Sequence, residues 1–363
     1  MSESQPVSRE QEESASEEEV RGGPVDIEAL REEVARGLSE SPPRLPPKLF
    51  YDDRGARLFE EITRLPEYYP TRTEIGILET HLPEMARRIG SGVQVVEFGS
   101  GSGEKTELLL RTLKDPAAYV PVDIAEEQLR RVATSLDRTF PGLKVLPLAA
   151  DYTRPFRLPG TGTGPGGEEG GRPLLFFPGS TIGNFEPARA RDFLRRAGRS
   201  LGPGALLLIG VDLVKPREVL EPAYNDARRV TEAFNRNALV HLNRVLDTDF
   251  RPNAFRHRAP WNEEAHRIEM HLVATEAQVV TLPGTPADSG SPTSTPRFRL
   301  VLEEGDHIVT EHSYKYTLER FEQLTDEAGW ITRETWTDPR DWFAVRFLEW
   351  GVAINTSLGE TQD

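Results

Sequence analysis

The sequence predicts an α/β protein built on a doubly wound parallel sheet, with a second α+β module inserted into it. Three observations support this fold class. A glycine-rich turn, Gly99-Ser100-Gly101-Ser102-Gly103, follows the apolar strand Val95-Val96-Glu97-Phe98. Five strand–helix units succeed one another up to Asp212, and antiparallel alternation begins after Lys215. Strands that alternate with helices form parallel sheets, because each helix crosses back over the sheet.

Helical periodicity and apolar runs locate the individual elements. The predicted helices cover 25–38, 55–64, 73–89, 104–113, 125–140, 188–200, 222–246 and 318–328. The predicted strands cover 95–98, 119–123, 144–150, 174–178, 205–212, 267–277, 298–302, 332–336 and 343–347. Residues 65–72 are expected to form a rigid aromatic loop, 160–171 a flexible surface insertion and 283–296 a polar loop.

The glycine-rich turn indicates a site for a nucleotide-like cofactor, because a backbone without Cβ atoms can approach a ligand closely. The second predicted strand ends at Asp123, whose carboxylate can accept both hydroxyls of a ribose. The third strand ends at Asp151 and Tyr152, a carboxylate and an aromatic ring that suit an adenine. This order of glycine turn, ribose acid and adenine acid is typical of methyltransferases that use S-adenosylmethionine.

Composition narrows the class of protein further. The chain has 363 residues, a net charge of -15 and no cysteine, which excludes disulfides, cysteine nucleophiles and thiolate metal sites. An acidic chain is a poor partner for nucleic acid. No apolar run is long enough to span a bilayer, and the first residues show no signal-peptide pattern. We therefore expect a cytoplasmic protein that binds neither nucleic acid nor membrane. The seven histidines show no metal-ligand spacing, so we expect no metal site.

Four longer motifs carry a more specific resemblance. They are 65–74 (LPEYYPTRTE), 179–184 (GSTIGN), 234–237 (FNRN) and 267–270 (RIEM). With these motifs the chain resembles the L-histidine Nα-methyltransferases of ergothioneine biosynthesis over about residues 25–347. The resemblance implies a Rossmann-like class I methyltransferase domain with a substrate-binding module, generally in a monomer. It also implies transfer of three methyl groups from S-adenosylmethionine to the histidine α-amine, which gives the betaine hercynine.

The composition and the pattern of elements give the domain bounds, and the resemblance agrees with them. Residues 1–24 hold seven acids against two arginines and are expected to be a disordered tail. The substrate-binding domain is expected to comprise 25–73 and 214–315, and the cofactor-binding domain 74–213 and 316–350. Residues 351–363 are expected to form a C-terminal tail.

Residue by residue, the resemblance implies the following roles. Tyr51, in Phe50-Tyr51-Asp52, lies near the amine and relays its proton through water. The groups that hold the substrate's carboxylate and amine are Tyr68, Asn184 and Tyr224, those that hold its imidazole are Glu311 and Ser313, and Met270 packs against the ring. The cofactor-binding residues are Gly99, Lys105, Asp123, Asp151 and Tyr152, and the last of these stands where the family often has phenylalanine.

Two alternatives stay open at this point. The first is a related methyltransferase that acts on another amino acid, such as a tryptophan derivative; an apolar residue at position 311 would favour it, and the residue there is Glu311. The second is a non-enzymatic module that binds the cofactor or a partner. Without the resemblance, Glu311 reads as a residue on the wet face of an edge strand, Asn184 as a turn residue, and Tyr68 as a packing residue.

Overall fold

The structure is a computed structural model, and it describes residues 27–99, 103–123, 126–150, 171–284 and 296–351. The predicted acidic tail, most of the predicted insertion at 160–171 and nearly all of the C-terminal tail lie outside the described residues. Asp151 and Tyr152 also lie outside them.

Nine helices are described, and we number them in chain order. They are α1 (Ile27–Leu38), α2 (Asp53–Thr63), α3 (Tyr69–Ile89), α4 (Glu104–Thr112), α5 (Glu126–Thr139), α6 (Pro187–Leu201), α7 (Arg217–Tyr224), α8 (Val230–Leu246) and α9 (Leu318–Ala328). The described strands are β1 (Val93–Phe98), β2 (Ala118–Asp123), β3 (Leu148–Ala149), β4 (Arg172–Phe177), β5 (Leu206–Asp212), β6 (Phe255–Arg258), β7 (Trp261–Asn262), β8 (Arg267–Ala274), β9 (Gln278–Pro283), β10 (Pro296–Leu302), β11 (His307–Tyr314), β12 (Trp330–Thr337) and β13 (Phe343–Trp350).

The main sheet confirms the predicted doubly wound architecture. Its seven strands run in the order β12-β13-β5-β4-β1-β2-β3, and strands β1 to β5 are parallel. The C-terminal strands complete the sheet, with β13 antiparallel to both β5 and β12. The strand order reverses between β1 and β4. In open α/β sheets, ligands bind at the carboxyl ends of the strands beside such a reversal.

The inserted module contains two further sheets. Strand β8 pairs with β11, β6 and β7, and β9 pairs with β10 in a separate hairpin. The two strands predicted around 267–277 and 298–302 therefore lie in different sheets. Strands β6, β7, β9 and β11 were not predicted. Strands β6 and β7 are short, and neither β9 nor β11 shows a strict alternation of apolar and polar residues.

Three predicted elements need correction. Helix α3 begins at Tyr69 rather than Thr73, because Pro70 falls in the first turn, where its fixed φ and missing N–H are tolerated. The long helix predicted for 222–246 is two helices. The Asp226 carboxylate accepts hydrogen bonds from the N–H groups of Val230 and Thr231 and so caps the second one. Strand β3 is reduced to two residues beside Pro147, which has no N–H to donate.

The buried apolar residues form separate clusters. One cluster joins residues of 30–69 with residues of 220–308, so the N-terminal helices pack with the inserted module. Two others cover the two faces of the main sheet. The region between the first cluster and the carboxyl ends of β1 and β4 is left for a ligand site.

Candidate active site

A cavity of about 1290 Å³ lies between the carboxyl edge of the main sheet and the inserted module. One wall comes from β1, β2 and the turns that follow β1 and β4. The opposite wall comes from β11, the loop before α2 and the end of α7. Every predicted site residue that the structure describes lines this cavity, and they are Tyr51, Tyr68, Gly99, Lys105, Asp123, Asn184, Tyr224, Met270, Glu311 and Ser313.

The sheet wall starts at the glycine-rich turn. Gly99 has a φ of 73° and Gly103 a φ of 79°, a left-handed conformation that strains residues with a Cβ. The Gly99 N–H donates to the Val122 carbonyl at 2.9 Å, which fixes the turn against β2. Asp123, at the end of β2, lines the cavity beside it. Glycines at 99 and 103 next to a carboxylate suit the ribose of a nucleoside cofactor.

Lys105 is tied to the protein rather than free in the cavity. Its Nζ lies 2.5 Å from Oε2 of Glu74, a side chain that is itself buried. The Glu74 carboxylate also accepts the N–H of Gly179, at 2.8 Å to Oε2. This ion pair joins α3, α4 and the loop after β4. Lys105 therefore presents the cavity with a charge that already has a counter-ion.

Glu97 is a buried carboxylate on the same wall. Burial raises its pKa to about 7, although hydrogen bonds from Thr106 and Tyr119 favour the ionised form. Both hydroxyls lie 2.6 Å from Oε2. They connect β1 to α4 and β2, so Glu97 braces the turn from within the protein.

The opposite wall, which we call the module wall, is built on β11. Glu311 and Ser313 both line the cavity, beyond a bulge between Val309 and Glu311 in the pairing with β8. Met270 lies directly opposite Glu311 on β8 and is buried. A carboxylate, a hydroxyl and a thioether thus face the same space.

Glu311 differs from the surface residue that its alternation alone suggests. Its side chain is 8% exposed, and burial raises its pKa to about 7 against the opposing effect of the Lys315 ammonium. Asn184 Nδ2 donates to Oε2 over 3.3 Å, a long hydrogen bond. A carboxylate with so little compensation inside the protein is prepared for a donor from a ligand.

Tyr68 and Tyr224 flank this wall. Their rings meet edge to face, with centroids 6.1 Å apart. The Tyr224 hydroxyl lies 2.8 Å from Ser313 Oγ, so residues predicted to hold two different parts of the substrate are in contact. Burial raises the pKa of both tyrosines well above the ordinary value, so both phenols stay protonated donors.

Tyr51 lies at the open side of the cavity. It is 38% exposed, and its ring meets Phe59 and Phe234 edge to face, each at 6.0 Å. This position is compatible with contact to water and to a ligand.

A buried ionic cluster next to this wall was not predicted from the sequence. Asp212, the last residue of β5, lies between Lys215 and Lys315, and burial of all three is nearly complete. Burial alone would raise the Asp212 pKa, but the two ammonium groups lower it. Burial also lowers the Lys215 pKa to about 8. Lys315 follows the end of β11 directly and continues the alternation of Glu311 and Ser313, a signal that could have identified it.

Residues 27–99, 103–123, 126–150, 171–284 and 296–351 contain no group of three or more histidine, cysteine, aspartate or glutamate side chains placed to hold a metal ion. Within the same parts of the chain, no helix combines the length and the apolar character needed to cross a bilayer.

Comparison with known proteins gives a consistent result. The family model described as "Histidine-specific methyltransferase, SAM-dependent" matches residues 30–350. A histidine N-alpha-methyltransferase of Mycolicibacterium smegmatis is 39% identical over 322 residues, which cover 88% of this chain and 94% of that protein. Ergothioneine biosynthesis protein 1 of Neurospora crassa is 30% identical over 82% of this chain and 32% of its own length. A 4-dimethylallyltryptophan N-methyltransferase of Penicillium roqueforti is 28% identical over 85% of this chain and 90% of its own length. The chain belongs to the family of histidine-specific, SAM-dependent methyltransferases.

Proposed function

We propose that the protein transfers three methyl groups from S-adenosylmethionine to the α-amine of L-histidine, and so makes hercynine for ergothioneine biosynthesis. The observation that carries this proposal is the buried Glu311 carboxylate on the wall opposite the glycine-rich turn. It offers an acceptor to a ring N–H, and the neighbouring Ser313 hydroxyl can donate to a second ring nitrogen, which an imidazole has and an indole lacks.

The sheet wall fits the cofactor. Left-handed glycines at 99 and 103 leave room for close approach, and Asp123 adds a carboxylate for ribose hydroxyls. Lys105 belongs to the same wall. When bound there, S-adenosylmethionine supplies a methyl group on a positively charged sulfur, ready for attack by a neutral amine.

The protein's own residues then have three tasks. Tyr68, Asn184 and Tyr224 hold the amino acid by its carboxylate and amine, and Glu311 with Ser313 holds the imidazole while Met270 packs against it. Fixing the amine in line for attack accounts for a large share of the rate, since alignment can contribute roughly 7–11 kcal/mol at best.

The amine must be neutral before each attack. A cationic sulfur nearby disfavours the ammonium form, because like charges lower the pKa of an amine. Tyr51, at the open side of the cavity, provides a hydroxyl through which the released proton reaches water. A strong general base is then unnecessary.

A substrate panel tests the proposal. The purified protein is incubated with S-adenosylmethionine and histidine, tryptophan, 4-dimethylallyltryptophan or phenylalanine, and products are identified by mass spectrometry. We expect mono-, di- and trimethylhistidine, with hercynine accumulating last. Cofactor binding without any methylated histidine refutes the proposal, and methylation of a tryptophan derivative instead identifies the alternative substrate.

Three accompanying expectations rest on the same proposal. The N-terminal helices and the insert, 25–73 and 214–315, act as the substrate-binding domain on a methyltransferase domain of 74–213 and 316–350. The protein works as a monomer in the cytoplasm. Histidine and its methylated intermediates are its partners, without nucleic acid or membrane.

A further inference from the structure

The buried ionic cluster next to the module wall contains two lysines, Lys215 and Lys315, that share the Asp212 carboxylate. Lys215 Nζ lies 2.5 Å from Asp212 Oδ1, and Lys315 Nζ lies 2.7 Å from Asp212 Oδ2. Each ammonium has three N–H donors and no acceptor. The two lysines differ in where their remaining donors go.

Lys215 directs its other donors away from the cavity wall. They reach the Tyr69 hydroxyl at 2.9 Å and the Leu213 carbonyl. The Tyr69 hydroxyl in turn donates to Asp212 at 2.7 Å. Lys215 therefore joins α3 to the end of β5. None of these hydrogen bonds reaches a residue that was predicted to bind the substrate.

Lys315 directs its other donors at the wall itself. Its Nζ lies 2.7 Å from the Tyr224 hydroxyl and 2.8 Å from Ser313 Oγ. Because the ammonium can only donate, both hydroxyl oxygens must accept from it. The hydrogen of each hydroxyl then has to point elsewhere.

The number of hydroxyl hydrogens on Tyr224 and Ser313 determines how many hydrogen bonds the wall can donate to a ligand. The two hydroxyl oxygens lie 2.8 Å apart, so one hydroxyl donates to the other and the second keeps its hydrogen for another acceptor. Both residues line the cavity. A ligand with two acceptors can replace the mutual bond and receive both hydrogens.

We propose that Lys315 is a positioning residue that commits the Tyr224 and Ser313 hydroxyls to donate to the substrate. The wall then selects an amino acid that presents a carboxylate oxygen to one hydroxyl and an unprotonated ring nitrogen to the other. Beside them, the Glu311 carboxylate accepts the remaining ring N–H. The imidazole is therefore taken in its neutral form, with one nitrogen as donor and the other as acceptor. This inference rests on the proposed function and extends it to the protonation state of the ring.

The test compares Lys315→Met with Lys215→Met, since each variant removes one ammonium from the same carboxylate. Two ligands are titrated into the intact protein loaded with S-adenosylhomocysteine, which has no methyl group to transfer. They are histidine and 3-(2-thienyl)alanine, whose five-membered ring carries no nitrogen. Thermal melting and S-adenosylhomocysteine affinity monitor the fold in parallel.

In Lys315→Met we expect the Kd of histidine to rise about ten- to hundredfold, the scale of one or two lost hydrogen bonds, and that of thienylalanine to rise clearly less. The KM of histidine should follow its Kd, while kcat changes by less than about threefold. In Lys215→Met the two ligands should weaken by the same factor. Equal losses for both ligands in Lys315→Met, or the same pattern in both variants, overturn the assignment.

Two further variants decide the matter if Lys315→Met does not fold. Ser313→Ala and Tyr224→Phe each delete one hydroxyl and keep the ammonium. We expect one of the two to weaken histidine selectively and the other to weaken both ligands; if both act equally on both ligands, the hydroxyls do not divide ring and carboxylate between them. Wild-type protein that binds no histidine refutes the proposed function itself, a result separate from either outcome above.

Discussion

The two walls of the cavity each contain a buried glutamate whose pKa is raised to about 7, and the two are differently partnered. Glu97, on the sheet wall, accepts two short hydrogen bonds from hydroxyls of its own domain. Glu311, on the module wall, accepts one long bond from Asn184. Burial perturbs both groups alike, so the raised pKa does not distinguish a brace from a binding group. The number of hydrogen-bond partners that each carboxylate already has within the protein distinguishes them.

The largest expected effect comes from breaking the module wall at Glu311. Glu311→Ala should lower kcat/KM for histidine by roughly a hundredfold or more, because a buried ring N–H loses its charged acceptor. The affinity for S-adenosylmethionine should stay within about twofold, since the sheet wall is unchanged. Steady-state kinetics and calorimetry measure the two quantities.

Glu304→Ala, an exposed position on the β10–β11 turn, is the matched control and should behave as wild type. Unchanged preference for histidine in the Glu311 variant would remove the assigned role.

The second prediction concerns a substitution on the sheet wall. Asp123→Ala should raise the KM for S-adenosylmethionine about ten- to hundredfold, the value of one or two hydrogen bonds to a charged group. The Kd of histidine should change far less. Asp137→Ala on the exposed face of α5 controls for the lost charge. A variant that weakens histidine as strongly as the cofactor would show that the walls do not divide the two ligands.

Stability against pH sharpens the comparison between the two glutamates. Each carboxyl has a pKa of about 7 in the folded state and its ordinary pKa of 4.5 when unfolded. Each therefore contributes stability that is complete below pH 4.5 and is lost as the pH rises through 7, at most about 3 kcal/mol per group.

Glutamine substitution separates the two cases at pH 7.5. Glu311→Gln should stabilise the protein relative to wild type, because it removes a poorly compensated buried charge. Glu97→Gln should gain less or be destabilising, because the Thr106 and Tyr119 hydroxyls lose a charged acceptor, worth about 1–3 kcal/mol. Urea unfolding at pH 5 and pH 7.5 measures both, and identical behaviour of the two variants contradicts the distinction.

The smallest expected effect is at the open side of the cavity. Tyr51→Phe should lower kcat by less than about tenfold with KM unchanged, because an exposed hydroxyl that passes a proton to water is replaceable by water itself. Rapid-quench measurement of the first methyl transfer provides the number. A loss of a hundredfold or more would make Tyr51 an essential proton acceptor.

The contrast between the walls also explains which parts of the molecule could be predicted. The sheet wall follows largely from neighbouring residues, since Gly99 and Asp123 belong to one strand–turn–helix–strand unit whose pattern is local; Lys105 was implied by the resemblance alone. The module wall gathers Tyr51, Tyr224 and Glu311 from distant parts of the chain. Only the resemblance to a known family brought them together.

The errors have physical causes of the same kind. Asp212, Lys215 and Lys315 were missed because charged residues are ordinarily placed on the surface, and only three-dimensional pairing permits their burial. The early start of α3 was missed because Tyr68, Tyr69 and Pro70 read as a loop, whereas Pro70 is well suited to a first helical turn.

Helix α3 has a consequence for repeated turnover. Through Tyr69 it is hydrogen-bonded to Asp212, which also pairs with Lys315 next to the module wall, and through Glu74 it holds Lys105 and Gly179 on the sheet wall. The single helix α3 thus sets the distance between the methyl carbon of the cofactor and the amine nitrogen of the substrate. The nitrogen gains one methyl group in each round. Because the distance between the walls is fixed, the amino acid must shift within its binding site between rounds, and the two walls do not move apart.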